Sequence, residues 1–337
     1  MENKKIYILL FIVLALVTAS DIFFGDSAGG SVLIPLIFWS GIAQGLIALL
    51  GAIELSEGRW AGALKEYLKD YHTILLIFPF IFLLISGHMD IYSWSEHPGG
   101  WLSEGFFIIR NFTALLLPFI FSFILVRSIS KNSGKSKLFA GLYILSFVIS
   151  QSFLAFDVVM TLEYPWINTL FGGYFFVESL YAGITFASVL AAFLYLKRRK
   201  EFSDILRDTT KMVMGFALLW VGLFFSQYLV IWYGNLPEEV AFIERRLDIH
   251  SLKYLGLYVI FSLFVIPFLS YISKKAKTSP PAVWFIAFIV LSGYLLEKVL
   301  LLLPTVELNI LAVIVSMVIC VVPFFFIVQD QLKRDLD

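Results

Sequence analysis

Five ionisable residues stand inside or at the ends of long apolar runs in this sequence: Arg110, Asp157, Glu178, Glu297 and Lys298. A charge in hydrocarbon is costly, so each must be paired, protonated or wetted, and each marks a candidate site for proton movement or for a polar ligand. Glu178 heads the set. Tyr174, Glu178, Tyr181 and Thr185 recur at i, i+4, i+7 and i+11, the spacing of one helix face. A structural reading pairs Arg110 with Asp157 or Glu297 and lets Lys298 snorkel to the boundary. A functional reading makes Glu178, Asp157, Glu297, Arg110, Lys298, Tyr174, Tyr181 and Gln227 a proton path.

The elements that must position these residues follow from composition. The chain has 337 residues, 60% of them hydrophobic and 15% charged, and a mean hydropathy of +0.88. This predicts an all-α, polytopic integral membrane bundle. Ten runs are long enough to span a bilayer: 5–24, 31–53, 71–89, 105–127, 138–158, 169–196, 209–233, 252–273, 281–303 and 308–329. They form one domain, 1–337, with a core over 31–303 and peripheral helices at 5–24 and 308–329. Helices two to five against six to nine could form two four-helix bundles, on weak internal similarity. Lys4, Lys5 and Thr18-Ala19-Ser20 around the first run fit a signal peptide, whereas Ile22-Phe23-Phe24 prolongs the run as a first helix.

Ten spans put twenty lysines and arginines on the side of the termini, from Lys4 and Lys5 through Arg59, Lys197, Arg198, Arg199 and Lys200 to Lys333 and Arg334. Only Arg245, Arg246 and Lys253 fall opposite. The positive-inside rule then makes both termini cytoplasmic. At 1.5 Å per residue, Arg110 lies about 9 Å and Glu178 about 14 Å below the outer boundary. Glu297, Lys298, Gln151 and Gln227 fall in outer halves. No cation stands at the estimated depth of Glu178, which leaves its carboxyl unpaired and able to hold a proton near neutral pH. The cytoplasmic half offers Gln44, Glu54, Tyr67 and His72, fewer groups, so the sequence favours a half-channel from Glu178 outward. The longest outer loop, 234–251, predicts an amphipathic helix capped by Asn235, with Pro237 in its first turn and an apolar stripe of Val240, Ile243 and Leu247. That helix is either a lid or a docking surface.

Several chemistries are excluded. The one cysteine, Cys320, allows no disulfide, no cysteine-bound metal and no attached haem. His72, His88, His97 and His250 are not placed to face each other at one depth across helices. The chain alone is therefore expected to bind no cofactor, and a redox role would borrow its partners' centres. Gly134-Lys135-Ser136 ends like a phosphate loop, but Ile129 stands where the first glycine belongs. The balance of 25 basic and 25 acidic residues predicts no nucleic-acid partner.

Three stretches carry a resemblance. SFLAFDVVMTLEYPWINTLFGGYFFVESLYAG resembles the FDW-x-MSLEPHWFSTIFGVYFFAGS-type signature of the ActF family, membrane subunits of alternative complex III in the NrfD/PsrC-like superfamily. FSQYLVIWYGNLPEEVAFIERR, residues 225–246, and GFFIIRNF, residues 105–112, resemble two further elements of that family. The chain departs in its short ends and in Val158, where the family has tryptophan. The resemblance implies a respiratory quinol oxidoreductase subunit that packs on a homologous NrfD-type quinol-binding subunit and supports proton passage. Multihaem cytochrome and iron–sulfur subunits would hold the redox centres, and quinone could bind. The alternative is an NrfD-type anchor of an iron–sulfur or molybdenum enzyme that binds quinol itself through His88, Asp90, Arg110 and Asp157. A secondary transporter would need broken mid-membrane helices, for which only Pro118 and Pro267 speak.

Overall fold

The computed structural model describes residues 2–25 and 29–334; the side chain of Arg59, one of the cations counted above, lies outside the described residues. Twelve helices account for the described chain, and no strand occurs among the described residues. Ten of them are long and apolar enough to cross a bilayer, so the protein is a multi-pass membrane protein. In order they are α1 (Glu2–Phe24), α2 (Gly29–Leu55), α3 (Gly62–Gly87), α4 (Glu104–Ser130), α5 (Ser136–Glu163), α6 (Phe171–Lys197), α7 (Arg199–Gly234), α9 (His250–Ser270), α11 (Pro280–Leu302) and α12 (Ile310–Arg334). Two short helices lie outside the spans: α8 (Pro237–Asp248) and α10 (Lys274–Thr278).

The centre of the bundle is α2, buried along nearly its whole length, as expected of a helix that is apolar all round. It packs on α5 and α6 and touches α12 and α11. On one side, α3, α4 and α5 pack together; on the other, α6 packs on α7 and α11, and α11 on α9. The first helix lies along α12, burying Ile6, Leu10, Val13 and Val17 at helical spacing.

Regularity fails in three places. The third span begins at Gly62 rather than near 71, and its chain tightens to 3-10 geometry over Lys69–Leu76. The fifth widens to a π-helix over Leu154–Val159, then tightens over Met160–Glu163, and so runs beyond the expected end at 158. The ninth element, α9, widens over Phe261–Val265, just before Pro267; the fourth runs through Pro118 as an unbroken helix. Widened turns of this kind expose backbone carbonyls to other partners. Here the Tyr181 hydroxyl donates to Leu263 O at 3.0 Å and the Tyr92 hydroxyl to Val158 O at 2.9 Å.

The expected amphipathic helix exists as α8, with Pro237 in its first turn. Two details differ. Asn235 takes the left-handed conformation, φ 47°, and ends α7 by donating to Ile231 O; Leu236 is the cap residue of α8. Leu247 is 53% exposed, and the side chains turned inward are Phe242 and Arg246 instead.

Candidate functional site

The site begins where α6 meets α11. Glu178 lies seven residues into α6 and Lys298 four residues before the end of α11, so the two differ in depth by about 5 Å at 1.5 Å per residue. The four-carbon lysine stem crosses that gap. Lys298 Nζ bonds to Glu178 Oε2, and both side chains are 1% exposed. It also lies 3.5 Å from Glu297 Oε2. Two expectations are corrected by this geometry. Glu178 is paired, and Lys298 points into the bundle instead of snorkelling outward. Estimates of depth from span ends cannot register the reach of a lysine from a neighbouring helix.

Two carboxyls thus share one ammonium. The rings of Phe175 and Tyr294 flank Lys298 Nζ at 4.4 and 4.6 Å from their centroids and supply further cation stabilisation. The Tyr174 hydroxyl donates to Glu297 Oε1. Glu178 Oε1 has no hydrogen-bond partner among the described residues.

A buried polar row continues from this triad toward the middle of the bundle. Ser179 Oγ donates to Gln151 Oε1 at 2.8 Å, Gln151 Nε2 to Gln44 Oε1 at 3.1 Å, and Gln44 Nε2 to Ser150 Oγ at 3.2 Å. The Tyr143 hydroxyl donates to Gln44 O at 2.8 Å. Tyr294 and Ser179 converge beside Gly41, where an added Cβ would lie 2.0 Å from the tyrosine oxygen and 2.9 Å from the serine oxygen. Sequence reasoning singled out Gln44 and Gln151 but missed Ser179, Ser150 and Tyr294, because a serine or tyrosine in an apolar helix gives no signal until its partner is known.

The other candidates lie elsewhere. Tyr181 and Thr185 share the Glu178 face in sequence but bond to backbone, Tyr181 to α9 and Thr185 to Tyr181 O. Gln227 accepts from Asn168 at 2.9 Å, at the corner before α6. Arg110 pairs with Asp157 at 2.5 Å, not with Glu297, and Asn111 donates to the same carboxylate oxygen at 3.1 Å. The rings of Trp101 and Phe106, edge to face with each other, lie 4.2 and 4.6 Å from that guanidinium. Of the four residues suggested for a quinol headgroup, Arg110 and Asp157 meet, His88 bonds to Asp21 on α1 at 3.0 Å, and Asp90 is exposed. Among the described residues, no three His, Cys, Asp or Glu side chains converge as metal ligands.

Above the triad, α8 is latched. Arg246 donates to Leu300 O at 3.2 Å and Leu301 O at 2.9 Å, and to Glu163 Oε1. The carbonyls are those left open at the end of α11, two and three residues beyond Lys298. Trp166 stacks on Phe242 with centroids 3.9 Å apart. Burial lowers the Arg246 guanidinium from the usual arginine value, and Glu163 opposes that shift. No family model and no curated protein matches the sequence.

Proposed function

We propose that this protein is the proton-handling membrane subunit of a quinol oxidoreductase of the alternative-complex-III type. The observation that carries the reading is the pair of buried carboxyls on one lysine. With both carboxyls ionised the triad holds a net negative charge in a buried site; with one proton on either, it is neutral. Burying uncompensated charge costs several kcal/mol, about 3–5 when one partner of a buried pair is removed, so the neutral state holds one exchangeable proton, shared between Glu178 and Glu297. The Ser179 hydroxyl can both accept and donate, whereas the amides of Gln151 and Gln44 orient a chain and need water to carry a proton past them. The motif resemblance to ActF supplies the rest of the proposal: a homologous NrfD-type subunit as neighbour, multihaem cytochrome and iron–sulfur partners, and quinol oxidised outside this chain.

The test is Glu178→Gln in the complex purified from native membranes with its partners. The substitution leaves Lys298 balanced by Glu297 alone, one cation to one carboxylate. Assembly and haem content are expected to persist while proton release per electron falls to less than half, together with loss of a protonated-carboxyl infrared band. A normal proton-to-electron ratio in the assembled variant would remove the proton role. A second reading, an NrfD-type quinol-binding anchor, draws on Arg110 Nη2 and Asn111 Oδ1, a donor and an acceptor left without partners beside Asp157. That reading leaves the Glu178→Gln ratio intact and so parts from the first on the same measurement.

The proposal places both termini in the cytoplasm of a bacterial inner membrane. Cysteines introduced at Ser133 and Ser203 are expected to resist impermeant thiol reagents in intact cells, and one at Ser95 to react. The native Cys320 is buried and gives little background. Labelling at Ser133 and Ser203 would invert the orientation.

A further inference from the structure

At the end of the bundle that carries the termini, α10 packs on α7 and borders an open cavity of about 650 Å³. Its lining is Arg207, Lys211, Lys274, Lys275, Lys277 and Thr278, five cations and a hydroxyl. Arg207 pairs with Asp204 at 3.0 Å and Asp208 at 3.6 Å, and Lys211 with Asp208 at 2.8 Å. The three lysines of α10 have no ion-pair partner among the described residues. The buried Thr210 hydroxyl, on the turn between Arg207 and Lys211, lies within reach of Lys277 O at 3.3 Å as well as of Arg207 O at 2.8 Å and Leu206 O at 3.0 Å on its own helix.

Three elements change from basic to apolar at this cavity. On α7, Lys211 is the last cation before the run Met212–Phe225. On α9, Leu269 is 59% exposed, and just beyond it Ile272 is 60% exposed, immediately before the lysines. On α11, Phe285 is 65% exposed one turn after Pro280. Exposed apolar side chains on a membrane helix face acyl chains, so the cavity sits at headgroup level with hydrocarbon directly beside it. A soluble polyanion would make no use of those flanks.

We propose that this cavity binds the headgroup of an anionic phospholipid, with the phosphate among Lys274, Lys275, Lys277 and Thr278 and the acyl chains along Leu269, Ile272 and Phe285. Basic pockets between membrane helices are suited to such headgroups by charge and by position. Arg207 and Lys211, already half-neutralised by Asp204 and Asp208, contribute less than the three unpaired lysines.

Native mass spectrometry of the purified chain in detergent, titrated with dioleoyl phosphatidylglycerol, tests this. One lipid per chain is expected to be retained at concentrations where dioleoyl phosphatidylcholine is not. Lys274→Gln/Lys275→Gln/Lys277→Gln is expected to weaken phosphatidylglycerol retention about a hundredfold, the loss of three headgroup-level basic side chains. Lys131→Gln/Lys135→Gln, in another loop at the same end, is expected to leave it unchanged. Should the triple variant not fold, Lys275→Gln alone is expected to lower retention about fivefold. Undiminished retention in these α10 variants, or an equal loss in the control pair, would overturn the proposal. Displacement of the lipid by inorganic phosphate at equal concentration would overturn it as well, by making the site one for a free anion.

Discussion

Lys298→Met is expected to abolish accumulation of the folded protein, while Lys298→Met combined with Glu178→Gln and Glu297→Gln restores it. Lys298 is the single cation of the buried triad, and its removal leaves two carboxyls 1% and 4% exposed with no counter-charge. Removing one partner of a buried pair costs about 3–5 kcal/mol, a large fraction of the roughly 5–15 kcal/mol that holds a folded domain together. The variant can escape only by binding two protons, one on each acid. Phe175 and Tyr294 also lose the cation their ring faces hold. Replacing all three ionisable groups leaves neutral side chains of similar volume, for which such sites are often as stable as the ionic original. Expression yield and thermal melting in detergent give the readout. The triple replacement is expected to melt within a few degrees of wild type yet move no proton through this site. Wild-type melting of Lys298→Met alone would show that the acids are held neutral without the lysine, and the charge-balance argument would fail.

The asymmetry between this result and the mild one expected for Glu178→Gln is the signature of two acids on one base. Losing an acid leaves a balanced pair; losing the base leaves an imbalance. A purely structural ion pair between Glu178 and Lys298 would instead make both single substitutions severe.

How much of this could be read from the sequence depends on the range of the interaction. The ten spans follow from hydropathy over about twenty residues, and the span ends agree to within about five residues except at the starts of α3 and α7. Those begin at Gly62 and Arg199 rather than near 71 and 209 because their first turns carry charges; within the spans, α3 also tightens and α5 widens. A π-turn or a 3-10 run keeps the same apolar composition as an α-helix, so no periodicity argument distinguishes them. Glu178, Glu297 and Lys298 were legible as costly residues, but their pairing joins positions 120 residues apart in sequence. It is set by the rotation of α11 against α6, which hydropathy does not encode. In the sequence Arg246 counts only as a cation of the outer side, and neither it nor Glu163 carries a sign that one latches the other. The nearest available signal was the Pro237 start of α8, which fixes the helix register and so places Phe242 and Arg246 on one face.

Gly45→Ala is expected to lower the melting temperature and to impair proton movement with every group of the triad still present. At the crossing of α2 and α6 the two backbones meet without side chains between them. A Cβ on Gly45 would lie 2.1 Å from Ser179 O, and one on Gly183 would lie 2.3 Å from the carbonyl carbon of Gly45. Small residues permit such an approach, and a methyl group there meets backbone that cannot rotate away. Overpacking in a close-packed interior costs about 1–3 kcal/mol, with rigid neighbours at the upper end. The functional effect follows from adjacency. Gln44 precedes Gly45, and Ser179 lies one turn before Gly183, so separating the helices stretches the Ser179–Gln151 and Gln151–Gln44 bonds from 2.8 and 3.1 Å. Hydrogen bonds of this kind fail within a few tenths of an ångström beyond about 3.2 Å. Gly141→Ala, where an added Cβ meets nothing within 4 Å, is expected to leave both melting and proton release at wild-type values. If Gly45→Ala releases protons normally while melting lower, the polar row below the triad is only a packing device, and protons reach Glu178 by another route.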